Sequence, residues 1–448
     1  MVMNCDLFVP LSPKTYKVMR KLTVLLLFGL ILTGVNAQTA KEEIKNNLRL
    51  SASNFLAYMG PQKKLTPAPE GMKPFYISHY GRHGSRFLAN ANEYDYPYNA
   101  LRNADELGKL TPMGKSVLER LATIRQEAVG RLGDLTPLGA EQQKQIARRM
   151  YERFPEVFSG DAHVDAKSTT VIRCVLSMEN ALQQLLQMNP KLKVTHDASS
   201  HDMYYMNQND PVMWARKSEM DAAQPFLEYC KRHDRSATLM KRLINDTAYI
   251  NNELNPSRFY YTFFKVASNI QNTELRKKLT LYDAFTDDEI YNSWLRENAR
   301  FYIGFAASPL SGGQQPYSQR NLLRKIILEA DSCIRLQKPM ATLRFGHETM
   351  VLPLVCLLDL NKYGQQIADL EQLERKEWRS YRIFPMAANV QFVFYRRDTN
   401  DSDIVFKVLL NEDEATLPLK TDMAPYYHWN DFKKYYLALL DSFGEPWK

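Results

Sequence analysis

Short runs of apolar, β-branched and aromatic residues recur at 75–78, 163–166, 192–195, 341–345, 389–395 and 404–410, and each predicts a strand. Between the earlier runs, apolar residues return every three to four positions across 114–125, 139–154, 170–188 and 319–336, which predicts helices. Strands alternating with helices predict an α/β fold, a mostly parallel sheet flanked by helices. The rhythm breaks at 200–318, where 225–243 and 283–301 carry helical periodicity and no strand pattern stands out. The expected organisation is therefore an α/β domain made of 38–199 and 319–448, with an inserted all-α domain at 200–318.

The N-terminus follows a different pattern. Lys17, Arg20 and Lys21 precede an apolar run from 22 to 35 that ends in Val35-Asn36-Ala37. That is the layout of a secretory signal peptide, residues 1–37, with cleavage expected after Ala37 and an exported product, periplasmic or extracellular. The run is short for a membrane span, which needs about 20 residues, so no stable span is expected once the signal is removed. Met19 is an alternative start to Met1.

Composition then narrows the classes. The chain has 448 residues, 45% hydrophobic and 24% charged, enough for two or three compact units and unlike a disordered polyelectrolyte. Its net charge of +8 falls to +5 when the signal is removed, and it forms no long basic arm, so nucleic acid is not an expected partner. Residues 201–300 hold 14 basic and 14 acidic side chains, so the insert has no general positive field. Cys174, Cys230, Cys333 and Cys356 remain after Cys5 is lost, and both disulfides and buried free thiols are open. Thr111-Pro112 and Thr136-Pro137 each read as an N-cap with proline at the first helical position. Gly108 to Ser116 is not a phosphate loop, because five residues separate its glycines where that motif has four.

The densest polar cluster, Ser78-His79-Tyr80-Gly81-Arg82-His83-Gly84-Ser85-Arg86, directly follows the first predicted strand. Ligands of open α/β sheets bind at the carboxyl ends of strands. Two arginine forks match the oxygens of a tetrahedral dianion, and the imidazole between them is placed to attack phosphorus. A second cluster, Arg344-Phe345-Gly346-His347-Glu348-Thr349, ends the predicted strand at 341–345 and opens a predicted helix over 349–360. There His347 can donate to phosphate and Glu348 can carry a proton to a leaving oxygen. A zinc-protease reading fails, since position 351 is Val where the helical His-Glu-x-x-His motif needs histidine.

These two clusters, with Leu135-Thr136-Pro137-Leu138-Gly139 and Ser168-Thr169-Thr170-Val171-Ile172-Arg173-Cys174, resemble the histidine acid phosphatases, the branch of the histidine phosphatase superfamily that contains phytases. Phe345-Gly346-His347-Glu348-Thr349, Leu352-Pro353-Leu354, Trp378 and Pro385-Met386-Ala387-Ala388-Asn389 are most similar to multiple inositol polyphosphate phosphatases. The resemblance runs from about 71 to 432. It implies a phosphoric monoester hydrolase acting on inositol polyphosphates such as phytate. His83 would be the nucleophile, Arg82, Arg86, Arg173 and His347 the phosphate ligands, and Glu348 the proton donor. It implies no metal and no cofactor, only an anionic small-molecule partner. Acid phosphatases of this family carry His-Asp at the last motif and the inositol polyphosphate branch commonly His-Ala-Glu, whereas this chain has His347-Glu348 without a spacer. The alternatives are a less selective acid or sugar phosphatase, such as a glucose-1-phosphatase, and a binding protein for phosphate ligands without turnover.

Other residues receive plainer readings. His79 packs or bonds to backbone, and Asn389 starts a strand. His163, His196, His201, His233 and His428 are structural or exposed. Arg375, Lys376, Arg379 and Arg382 either border an anionic substrate or form a solvated helix face, and the aromatic residues at 260–264 belong to a core.

Overall fold

The computed structural model describes residues 38–206, 210–218, 223–337 and 340–444. The signal peptide expected at 1–37 lies outside the described residues. Eight strands form one sheet in the order β3-β2-β4-β1-β5-β6-β7, with β8 also pairing with β6. They are β1 (Lys73–Arg82), β2 (His163–Ser168), β3 (Lys193–Asp197), β4 (Ala341–Gly346), β5 (Asn389–Arg396), β6 (Val405–Leu410), β7 (Asp413–Ala415) and β8 (Tyr427–His428). The pairs β3–β2, β2–β4 and β4–β1 are parallel, and those from β1 through β5 to β6 are antiparallel, so five of the eight strands point the same way. The mostly parallel sheet is thus present. The turn to antiparallel pairing at β5 follows from the chain after 389, where β5 and β6 are joined without a crossover helix.

The longer helices are α1 (Ala91–Glu106), α2 (Pro112–Glu127), α3 (Pro137–Arg153), α4 (Ile172–Met188), α5 (Pro256–Asn269), α6 (Asp287–Phe305), α7 (Arg320–Leu336), α8 (Glu348–Leu357) and α9 (Trp429–Phe443). Side chains alternate across the sheet. Ile77, Leu343 and Val393 face a core with Met150, Leu182 and Leu185 from α3 and α4. Tyr76, Phe392 and Phe394 face the opposite core with Ile327, Leu354 and Phe432 from α7, α8 and α9. A third core, lateral to these, joins Leu101 of α1 and Val117 of α2 to Leu243, Phe259 and Phe263. Among the described residues, 200–318 carries helices and no strand.

Thr111 and Thr136 cap α2 and α3 as expected, each hydroxyl accepting from the amide three residues on, Gly114 N at 3.0 Å and Gly139 N at 3.2 Å. The periodicity at 225–243 is split into two helices around His233 and Asp234, where Asp234 instead accepts from the Ser236 amide at 2.7 Å. The sequence pattern missed α1, which has Pro97 inside it, and α9. Cys174, Cys230, Cys333 and Cys356 are all free thiols, three of them buried.

Candidate active site

Register brings the motifs together. Arg82 at the end of β1 pairs with Gly346 at the end of β4, and Ser168 at the end of β2 pairs with Phe345. Three strand ends therefore deliver Arg82-His83, Thr169-to-Arg173 and His347-Glu348 to one edge of the sheet.

The turn after β1 is fixed from all sides. The His83 amide donates to the Gly346 carbonyl at 2.9 Å, and the Ala387 amide donates to the His83 carbonyl at 3.0 Å. Ser177 of α4 accepts from the Gly84 amide at 3.1 Å, Gln142 of α3 accepts from the Ser85 amide at 2.9 Å, and Gln143 donates to the Arg82 carbonyl at 2.9 Å. A Cβ on Gly84 would lie 2.2 Å from the Gly139 carbonyl oxygen, so only glycine lets the turn seat on the start of α3.

His83 is fully buried, and its Nδ1 lies 2.8 Å from the Gly84 carbonyl oxygen. A carbonyl only accepts, so Nδ1 carries the proton and Nε2 the lone pair. Burial, then Arg82 and Arg173, hold the imidazole well below its usual pKa of about 6.5, so it is neutral at working pH. Nε2 points towards Glu348, 3.8 Å from Oε2.

Arg82 is clamped by its Nη1, which donates to the Asn54 carbonyl at 2.7 Å and the Phe384 carbonyl at 3.0 Å. Its Nε meets Glu348 Oε2 at 3.1 Å. Arg86 donates to the Phe87 carbonyl at 2.8 Å and lies over the Phe55 ring. Arg173 stands in the first turn of α4 beside Gly133, and burial followed by Arg86 pulls its guanidinium pKa down. His347 occupies the position before α8, touches Thr169 Oγ1 at 3.3 Å and meets the His83 ring edge-on at 5.6 Å. Burial first, then Arg173 and Arg82 against Glu348, lower the His347 pKa to about 4. For Glu348, burial would raise the carboxyl pKa, but Arg82, His83 and Arg86 outweigh it and hold the group well below the usual carboxylate range.

Buried nitrogens of Arg82 (Nη2), Arg86 (Nε) and Arg173 (Nε), and His83 Nε2, have no hydrogen-bond partner among the described residues. Buried donors left unpaired cost about 1–3 kcal/mol each, more when charged. Several cationic donors converging on one lone pair suit a bound oxyanion. His83, His347 and Glu348 hold ligand atoms within 4.8 Å of one another, a spacing a cation could span. However, Arg82, Arg86 and Arg173 all act on that same volume, and their combined positive field favours an anion there.

All six residues expected from the sequence, His83, Glu348, Arg82, Arg86, Arg173 and His347, meet at this edge. Others fall elsewhere. His79 is buried against Phe345, and burial with Arg344 lowers its pKa to about 3. Glu329 pairs with Arg344, and Asp331 accepts from Trp429 and Lys433. Arg375, Lys376 and Arg382 are exposed, as a solvated face requires, whereas Arg379 is buried, and Arg379 and Arg382 are both paired with Glu43 and Glu377. The sequence did not reveal Asn54, Phe384, Gln142, Gln143 and Ser177, which act by backbone carbonyl, side-chain amide or, for Ser177, hydroxyl from distant segments.

A neutral, lone-pair-bearing histidine set among arginines, with a carboxyl group on its far side, defines a phosphoric monoester hydrolase of the histidine type. The match to the Histidine phosphatase superfamily (branch 2) covers residues 81–411, and the chain belongs to that family. Multiple inositol polyphosphate phosphatase 1 of Gallus gallus is 22% identical over 406 residues, 86% of each chain. The same-named protein of Dictyostelium discoideum is 27% identical over 109 residues, 24% of this chain and 17% of that protein. The solved structure of Bifidobacterium longum multiple inositol polyphosphate phosphatase with inositol hexasulfate superposes with a TM-score of 0.73 at 17% identity. It covers 89% of this chain and 99% of that one, a likeness of fold.

Proposed function

We propose that the protein hydrolyses phosphomonoesters of inositol polyphosphates, phytate among them, through a phosphohistidine. The observation that carries the reading is the His83 imidazole, with Nδ1 tied to a carbonyl and Nε2 free between the arginines and Glu348. The Nε2 lone pair attacks phosphorus, the P–O bond to the polyol breaks, and protonated Glu348 gives its proton to the departing oxygen. Water then attacks the phosphohistidine, Glu348 takes a proton from it, and the N–P electron pair returns to Nε2. Arg82, Arg86, Arg173 and His347 bind the phosphoryl oxygens, and the fixed guanidinium charges balance the charge that builds there. The likeness to multiple inositol polyphosphate phosphatases supports the substrate class.

We also assign residues 1–37 as an export signal, 38–199 with 319–448 as the catalytic unit and 200–318 as the facing wall of the cleft. No helix among the described residues is long and apolar enough to cross a membrane.

The test is phosphate release from myo-inositol hexakisphosphate by the mature chain in chelator, with ³²P-labelled enzyme captured by rapid alkaline denaturation, in which a phosphoramidate survives. Labelled His83 with turnover is expected. Turnover by His83→Ala at the wild-type rate refutes the nucleophile, and binding without release makes the protein a phosphate-ligand binder.

A further inference from the structure

Asn272 is fully buried in a short turn, Ile270–Asn272, that follows α5. Its side-chain amide joins three parts of the chain. Oδ1 accepts from the Ser85 hydroxyl at 2.7 Å, and Nδ2 donates to the Phe55 carbonyl at 2.7 Å and to Asn269 Oδ1 at 3.2 Å. The Phe55 carbonyl only accepts, so the amide nitrogen must face it, and the oxygen must then face Ser85. Both amide protons are committed within the protein, and the amide has one orientation.

The two residues tied in this way are the ones that place Arg86. Ser85 precedes it in the chain, and the Phe55 ring lies beneath its guanidinium, 5.6 Å from ring centre to carbon. The hydrogen bond from Arg86 to the Phe87 carbonyl is local, so the guanidinium is placed by the turn around it and the ring under it. Arg82 differs, because its own Nη1 reaches two distant carbonyls.

The segment that carries Phe55 is strained. Ser53 has a φ of 52°, on the side of backbone space that favours glycine. Such a backbone persists only where its surroundings impose it. Ser53 Oγ donates to Ser380 Oγ at 3.0 Å, which also accepts from Trp294 Nε1 at 3.2 Å. The Met386 amide donates to the Leu56 carbonyl at 2.8 Å, and Gln271 accepts from the Ala57 amide at 3.0 Å. Asn272 completes this grip at Phe55 itself, one residue after the Asn54 carbonyl that clamps Arg82.

We propose that Asn272 is a positioning residue of the phosphate site: it locks the Ser85 turn to the Phe55 segment and so fixes Arg86 against the phosphoryl oxygens. A donor fixed before charge builds on those oxygens stabilises it without reorganisation. This role rests on the phosphomonoesterase reading above.

Asn272→Leu keeps the volume and removes both ties, and Ser85→Ala removes one of them. Each is made in the full chain, alone and together with Arg86→Gln, and kcat/KM is measured on myo-inositol hexakisphosphate and on p-nitrophenyl phosphate. Arg86→Gln loses a charged contact and should lower kcat/KM by about 10- to 150-fold. Asn272→Leu should lower it by at least about fivefold, alike on both esters because each presents a scissile phosphate to Arg86, and Ser85→Ala by a smaller factor. In the Arg86→Gln background either substitution should cost less than about twofold, because the group it positions is gone. A substitution that only disturbs the fold would instead multiply its loss on that of Arg86→Gln. Multiplying losses, losses confined to the hexakisphosphate, or single-variant losses below about twofold overturn the role. If Asn272→Leu does not fold, the Ser85→Ala cycle decides by the same criteria. The cycle is also read on the Kd for inorganic phosphate, which needs no turnover. Wild type that binds phosphate but cleaves neither ester overturns the hydrolase reading, and the phosphate cycle then decides the role of Asn272. Wild type that binds no phosphate overturns both.

Discussion

Replacing Glu348 by Gln separates proton donation from every other role of that side chain. The amide keeps the volume and can still approach Arg82, which the carboxylate meets at 3.1 Å, but it cannot give up a proton to a leaving oxygen. In wild type the carboxyl group must hold a proton when phosphate arrives, although the arginines, Arg82 foremost, strip it in the free enzyme. The geometry resolves this conflict. A phosphoryl group over His83 Nε2 brings a negative oxygen to within roughly the 3.8 Å that separates Nε2 from Glu348 Oε2. Two unit charges about 4 Å apart at an effective dielectric of about 20 repel by about 4 kcal/mol, or about three pKa units. The phosphate also occupies the arginines that depressed the carboxyl pKa. One proton is therefore held between ester and Glu348, and the monoanionic ester can deliver it.

Two measurements follow from this. In the Gln variant, kcat/KM on myo-inositol hexakisphosphate, whose leaving group is an alkoxide, should fall by about 100- to 10,000-fold. On p-nitrophenyl phosphate, whose leaving group departs unaided, kcat/KM should stay within about tenfold or rise, because the like-charge repulsion is gone. The pH dependence follows with its sign. Glu348 is already ionised in the free enzyme across pH 5 to 8, so the alkaline limb belongs to the ester. Wild-type kcat/KM should decline above about pH 6, where a phosphomonoester loses its second proton. With the aryl ester and the Gln variant that decline should vanish. Equal losses on both substrates, or a wild-type kcat/KM that climbs from pH 6 to 8, would refute the assignment.

Arg82→Lys keeps a charge but cannot reproduce the Nη1 clamp on the Asn54 and Phe384 carbonyls. Charged hydrogen bonds contribute about 1.5–3 kcal/mol each, so steady-state kinetics should show at least about a tenfold fall in kcat/KM, and a loss below twofold would show that the fork is dispensable. Gly84→Ala puts a Cβ 2.2 Å from the Gly139 carbonyl oxygen, with backbone on both sides. It should cost about 1–3 kcal/mol by overpacking and lower the melting temperature together with activity, whereas an unchanged melting temperature contradicts that contact. His428 has its pKa raised by Asp403 first and Asp422 next, against burial. This stabilisation is fully present below about pH 6.5, the unfolded value, and is lost as pH rises through the raised folded value. Asp403→Asn should therefore lower the melting temperature more at pH 5.5 than at pH 8.5, and equal losses at the two pH values would remove the clamp.

The parts of this molecule that were legible in its sequence are those written locally. An apolar run ending in Arg82-His83 predicts a strand that delivers a histidine, and a Thr-Pro step predicts a capped helix start, because neighbours within four residues settle both. The prediction at 225–243 failed for a local reason as well: side-chain bonding at Asp234 competed with the helix, and apolar spacing does not register such competition. α1 was hidden by Pro97, and α9 by an aromatic-rich pattern whose burial depends on Phe392 and Phe406 of the sheet. What positions His83 was never local. Gly346, Ala387, Ser177 and Gln142 come from four separate segments, and two of the four act through backbone atoms that, proline's missing N–H aside, every residue type offers. A glutamine on an amphipathic helix carries no mark that says it will accept from the Ser85 amide. The chemistry could therefore be read from motifs, while the fixing of His83 could be argued only after the tertiary contacts had brought those four segments to one strand end.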